Sequence, residues 1–202
     1  EIMMKAMRSS EELRIKYASK YSRSSNYYKY SIGQNEGLRN LNVIEEKQKL
    51  EDQFRKWVKE DQERQEKYGE ALNTIEKAYE DRKESYKSYM YMAEALFQGA
   101  EIIPFSGRFM GLYQILKNMP DSTKAIENEV ENIKGRLKDF YKDYHAPTDQ
   151  KILAALFEIF HENVKEEHQP QIFNRIEELY DGNFEQYADH VFEQSMFTSI
   201  DR

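Results

Sequence analysis

The chain has 202 residues, a mass of 24.2 kDa, a formal net charge of −7 and no cysteine. The acidic balance excludes non-specific nucleic-acid binding, which needs a basic footprint, and the lack of cysteine removes disulfides, thiolate nucleophiles and Cys-based zinc sites from this chain. Eight Gly and four Pro argue against an all-β fold, and no apolar run approaches the ~20 residues of a membrane-spanning helix.

Residues 1–31 read as a first long helix, or as two with a break just before the helix-start signal Ser9-Ser10-Glu11-Glu12. The stretch from Leu13 to Leu38, LRIKYASKYSRSSNYYKYSIGQNEGL, organises this part of the chain. Leu13, Tyr17, Tyr21 and Tyr28 recur at steps of three, four or seven, which is one helical face. Lys16, Lys20, Arg23 and Lys29 fall between Ile15 and Tyr30 with no Asp or Glu among them, in a chain that is acidic overall. Asn26 stands inside the aromatic run Tyr27, Tyr28, Tyr30. A helix interior does not favour Asn, whose amide competes for backbone hydrogen bonds. Gly33 is expected to end the helix, with residues 32–37 as a short helix–helix connection.

Residues 38–98 contain no proline. From Phe54 a seam of threes and fours runs through Val58, Asp61, Gln65, Tyr68, Leu72, Ile75, Tyr79, Arg82, Tyr86, Tyr89, Ala93 and Leu96, a coiled-coil-like pattern. Two readings fit it. One is a single helix of about 60 residues, some 90 Å long. The other is a hairpin with its tip near Glu60–Asp61 and Asp61 as an N-cap, which ordinary helix lengths favour.

Gly99 to Arg108 is the strongest break, with Pro104 and Gly107 as punctuation and Ile102, Ile103, Pro104 and Phe105 as an apolar connector expected to pack inward. A short helix follows from Phe109 to Lys117, stopped by Met119-Pro120. Asp121 or Ser122 can cap the next helix, with Ala125, Val130, Ile133, Leu137, Phe140 and Tyr144 on its buried side. Thr148 is expected to cap a helix over 149–165 with a core face of Ile152, Leu153, Leu156, Phe157, Ile159 and Phe160. Gln169-Pro170 opens a helix to Tyr180, Asp181-Gly182-Asn183 closes it, and Phe184 to Phe192 is the last. The fold class is therefore all-α: antiparallel helices, long in the N-terminal part (1–98) and shorter in the C-terminal part (99–202).

Catalytic signatures are missing. No Gly-x-Ser-x-Gly turn is present, and no serine stands in a glycine-rich turn. His145, His161, His168 and His190 lie on predicted helices or their ends and read as solvated or capping residues. Glu158-x-x-His161 matches one half of a di-iron motif, but the second Glu-x-x-His is lacking. The pair reads as a helix surface pair. Acidic clusters such as Glu45-Glu46 and Glu166-Glu167 lack an EF-hand loop and read as solvated faces. Neither a metal nor a cofactor is expected. Tyr27, Tyr28 and Tyr30 with Lys29 could line a groove, although tyrosines at helical spacing are more often core or boundary residues.

RIKYASKY (14–21), NYYK (26–29), SIGQNEGL (31–38), KQKLEDQF with Trp57 (47–57), KYGEAL (67–72), GAEIIPF (99–105), the Thr148–Lys151 turn and FEQSMFTS (192–199) occur in that order. With them the whole chain resembles the helical domain of the bacterial serine dipeptidyl-peptidases of the dipeptidyl-peptidase seven and eleven type, chymotrypsin-like peptidase family 46. The resemblance implies a secreted or periplasmic parent enzyme that removes dipeptides from the free amino end of oligopeptides. It implies that residues 1–202 form an all-α cap over the cleft of a β-barrel catalytic domain in the same polypeptide, with the catalytic triad outside this chain. The first residue is Glu and both ends fall inside predicted helices, as expected of a piece of a longer protein, so the lack of a signal segment does not exclude export.

The family's helical domain contributes an asparagine that helps hold the substrate's α-amino group, and Asn26 is the residue that matches it. Many members carry Trp where this chain has Tyr28. The implied partners are a peptide with a free amino terminus and the barrel domain; the resemblance also allows a homodimer of the parent. Without it, the residues read best as a non-enzymatic helical interaction module that binds a partner helix through its Tyr-rich seam.

Overall fold

A computed structural model describes residues 1–199, and among these the structure is helical with no strand. In chain order the helices are α1 (Ile2–Ser9), α2 (Glu11–Asn40), α3 (Val43–Lys59), α4 (Gln62–Tyr68), α5 (Ala71–Tyr91), α6 (Ile102–Gly107), α7 (Met110–Asn118), α8 (Thr123–Tyr141), α9 (Ala146–Asn163), α10 (Ile172–Tyr180) and α11 (Phe184–Gln194). A π-helical turn, Met92–Phe97, follows α5. The expected all-α class, with long helices first and shorter ones after, is what the structure has. The chain divides into two compact units, one of residues 17–86 and one of residues 1–16 with 87–202.

The break before residue 11 is real. Ser10 is extended (φ −154°, ψ 158°), and its Oγ accepts a hydrogen bond from Leu13 N at 3.1 Å, capping α2. The expected stop at Gly33 is wrong. Helix α2 continues through Gly33 and Gly37 to Asn40, and residues 32–37 are helix rather than connection. A glycine in a helix interior costs about 1 kcal/mol, which a helix of this length absorbs. The turn is made instead at Asn42, whose φ of 54° is a left-handed conformation that asparagine tolerates better than most residues.

In the unit of residues 17–86, the 60-residue single helix is overturned and the hairpin stands. Asp61 is extended, and its Oδ1 accepts from Arg64 N at 2.8 Å, capping α4 as expected. Arg55 on α3 donates to Glu51 at 2.7 Å and to Asn73 on α5 at 3.1 Å, clasping the two arms. Phe54, Trp57 and Tyr68 cluster with ring centroids 5.8 to 6.4 Å apart, and the Arg64 guanidinium sits 4.6 Å from the Trp57 ring centre. The seam expected to continue along α5 does not bury within this unit, where Ile75, Tyr79 and Tyr86 are exposed; its expected end, Leu96, is buried in the other unit. Spacing alone fixes a face, not a partner for it.

The other unit is built on α9, which packs against α11, the π-turn and α1. Ile152, Leu153, Ala154, Phe157 and Phe160 are buried on it, facing Phe173 and Ile176 of α10 and Ala188 and Phe192 of α11. Each fully buried Phe or Ile contributes roughly 1.5–3 kcal/mol. Ile159, expected on this face, is exposed. A second aromatic cluster centres on Phe105, stacked on Phe140 at 3.7 Å and edge-on to Phe109 and Tyr141. Ile102 and Phe105 do pack inward as expected, though as the helix α6. Pro104, also expected to pack inward, is exposed: it sits in the first turn of α6, where no amide donor is needed and its ring faces out. Gly99 is required by close approach: a Cβ there would collide with the Leu156 side chain and the Ala95 carbonyl.

Candidate functional site

Positions 23, 26, 27 and 30 are related by i, i+3, i+4 and i+7, so α2 brings them to one face. Arg23, Asn26, Tyr27 and Tyr30 line an open depression of about 310 Å³. Tyr27 and Tyr30 are 69% and 65% exposed, and Asn26 is exposed beside them. Tyr28 and Lys29, also expected at the groove, are not among its lining residues. These tyrosines are not core residues, as the spacing alone had favoured.

Among the described residues, no protein group hydrogen-bonds the Asn26 amide. It therefore presents a carbonyl acceptor and an NH₂ donor outward, between phenol rings and within a turn of a guanidinium. Such a site can accept a hydrogen bond from an ammonium, donate to a carbonyl, and cover aliphatic surface with its rings. It carries no base, nucleophile or metal ligand, so it can bind and orient but cannot make or break bonds.

The histidines have structural partners. His145 caps α9: its Nδ1 accepts from Thr148 N at 3.3 Å and meets Thr148 Oγ1 at 2.7 Å. Thr148, expected as the cap, is instead buried in the first turn, because Pro147 suits an early helical position and starts the helix sooner. His161 meets Gln169 Oε1 at 2.9 Å and Glu177 at 3.6 Å, across to another segment. Among the described residues no hydrogen bond or ion pair joins it to Glu158, its expected surface partner. Among the described residues, no group of three or more His, Asp or Glu converges as a metal site.

The most elaborate polar centre was not found from sequence. Asp149 is fully buried. Its Oδ1 accepts from Glu101 N at 2.6 Å, and its Oδ2 accepts from Ile102 N at 2.9 Å and from the Tyr144 hydroxyl at 3.1 Å. Burial pushes its carboxyl above the ordinary range, against the pull of the two backbone donors. The Tyr144 hydroxyl is pushed up strongly, first by burial and then by the Asp149 charge. Beside them Lys16 Nζ, on the first turns of α2, donates to Glu101 at 2.9 Å and to the Asp143 carbonyl at 2.7 Å. No substrate can reach Asp149. Its work is to satisfy the amides that open α6 and to fix α6 against α9. An Asp in a Thr-Asp-Gln-Lys turn signals a helix start, but not which other helix it caps.

Comparison with known proteins gives a consistent set of relatives. The family model of peptidase S46 matches residues 1–202. A dipeptidyl-peptidase 7 of Porphyromonas gingivalis is 35% identical over 202 residues, covering 100% of this chain and 27% of that protein. Its counterpart in Porphyromonas endodontalis is 34% identical over 201 residues, covering 100% of this chain and 23% of that protein. An Asp/Glu-specific dipeptidyl-peptidase of P. gingivalis is 25% identical over 204 residues, covering 98% of this chain and 27% of that protein. The chain thus spans about a quarter of the length of the curated relatives it matches.

Proposed function

Because the chain belongs to the peptidase S46 family, we propose that it is the helical cap of a serine dipeptidyl-peptidase and that Asn26 holds the substrate's amino terminus. The catalytic β-barrel with its triad would be supplied by the rest of the polypeptide. The observation that carries the substrate role is the outward-facing, unengaged Asn26 amide in its depression on α2.

The chemistry suits a peptide's amino end. The Asn Oδ1 accepts from an ammonium without adding a full charge. Tyr27 and Tyr30 provide walls with low conformational cost. An anchor for the ammonium at a fixed distance from the nucleophile limits the product to two residues, since only that bond is held in reach. A secreted or periplasmic setting, where extracellular peptides arrive, belongs to the same proposal.

The test is the full-length protein on matched peptides with free and N-acetylated amino ends. Release of dipeptides from the free peptide alone supports this reading. Equal cleavage of both peptides would replace it with an endopeptidase, and no cleavage of either would favour a non-enzymatic interaction module.

A further inference from the structure

We propose that Arg23 is a specificity residue that favours peptides whose first residue is acidic. The proposal rests on the reading of Asn26 as the ammonium anchor and adds a partner for the side chain of the same substrate residue. Arg23 lies in the same depression as Asn26, Tyr27 and Tyr30. It stands three residues before Asn26, about 4.5 Å along the helix axis. An amino-terminal Asp or Glu carries its ammonium and its carboxylate on one residue. With the ammonium on Asn26 Oδ1, that carboxylate falls within reach of the guanidinium. The reverse placement sets ammonium against guanidinium and is repulsive.

Two further observations point to a carboxylate as the occupant. The first is local charge. Between Glu12 and Glu36 no acidic residue occurs, while Arg14, Lys16, Lys20, Arg23 and Lys29 do, in a chain of net charge −7; of these, Arg14 pairs with Glu11 and Lys16 with Glu101. The second is that, among the described residues, no hydrogen bond or ion pair engages the Arg23 side chain, which leaves its guanidinium open to a ligand in the depression. Its planar set of N–H donors matches a carboxylate better than an ammonium side chain would. The same charge disfavours a first residue of Lys or Arg.

The test uses the full-length enzyme and two fluorogenic dipeptidyl substrates with the same second residue, one with Glu first and one with Gln first. The readout is the ratio of their kcat/KM values. Arg23→Gln is expected to lower the Glu/Gln ratio about two- to fivefold, the strength of an exposed ion pair, through KM rather than kcat. Arg23→Lys is expected to keep part of the preference, and added salt to erode it in the wild type. An unchanged ratio in Arg23→Gln, with both substrates impaired by Asn26→Ala, overturns the proposal and leaves the amino-end anchor standing. An Asn26→Ala variant that matches wild type on both substrates overturns the anchor, and this proposal with it.

Discussion

Asp149 on α9 accepts the backbone amide of Ile102 at 2.9 Å and so caps a helix 47 residues before it in the chain. With Glu101 N on its other oxygen, one buried carboxylate satisfies two of the amides that open α6. Asp149→Ala leaves both donors buried without partners, at a cost of about 2–4 kcal/mol. That corresponds to a fall in Tm of roughly 5–15 °C for a domain of this size. Hydrogen exchange on the full-length protein should show faster exchange at Glu101 and Ile102 first. Unchanged protection there would mean the cap is energetically idle.

The same residue sets a pH dependence. Burial holds the Asp149 carboxyl above its ordinary value of 3.8, so in the window above 3.8 the folded state binds more protons than the unfolded state. Its favourable contribution is complete below 3.8 and is lost as pH rises through the raised value. Asp149→Asn cannot ionise. The variant is less stable than wild type at acid pH, because its NH₂ group faces a backbone donor, and the gap narrows toward neutral pH. Denaturant unfolding at a series of pH values measures it. A gap that widens with rising pH would contradict the direction.

Two glycines should respond oppositely to alanine. Gly99 lies against Leu156 and the Ala95 carbonyl, and a Cβ there forces α9 and the preceding segment apart. Gly99→Ala is expected to cost about 1–3 kcal/mol. Gly33 lies inside α2 with nothing near a Cβ. Gly33→Ala should stabilise by about 0.5–1 kcal/mol through helix propensity. Paired thermal melts decide both signs.

That contrast also marks what the sequence could reveal. Breaks that combine two local signals were legible: Ser10 with Glu11, Asp61 with the polar run, Met119 with Pro120, and Asp181 with Gly182. The buried face of α9 followed from spacing, Leu156 being half-buried and Ile159 exposed, whereas on α8 only Ile133 of the expected residues is buried and Ala125, Val130, Leu137 and Phe140 are half-buried. Gly33 misled because one glycine in a long helix is a tolerable cost, whereas the true turn used Asn42 in a left-handed conformation. The seam along α5 misled because periodicity shows a face and not what covers it. Asp149 and Lys16 were illegible as a centre because their partners lie far off in sequence, at Glu101, Ile102 and Asp143. Asn26 was reached through family resemblance, and the structure adds Arg23 to its surroundings.

The most direct measurement is steady-state kinetics of the full-length enzyme with Asn26→Ala and Asn26→Asp on a dipeptidyl substrate with a free amino end. Loss of one hydrogen bond to an ammonium at an open site should lower kcat/KM about tenfold in Asn26→Ala, chiefly through KM. Asn26→Asp keeps an acceptor and should retain most of the activity. Wild-type kcat/KM and KM in Asn26→Ala would contradict the assignment of Asn26 as the anchor of the amino terminus.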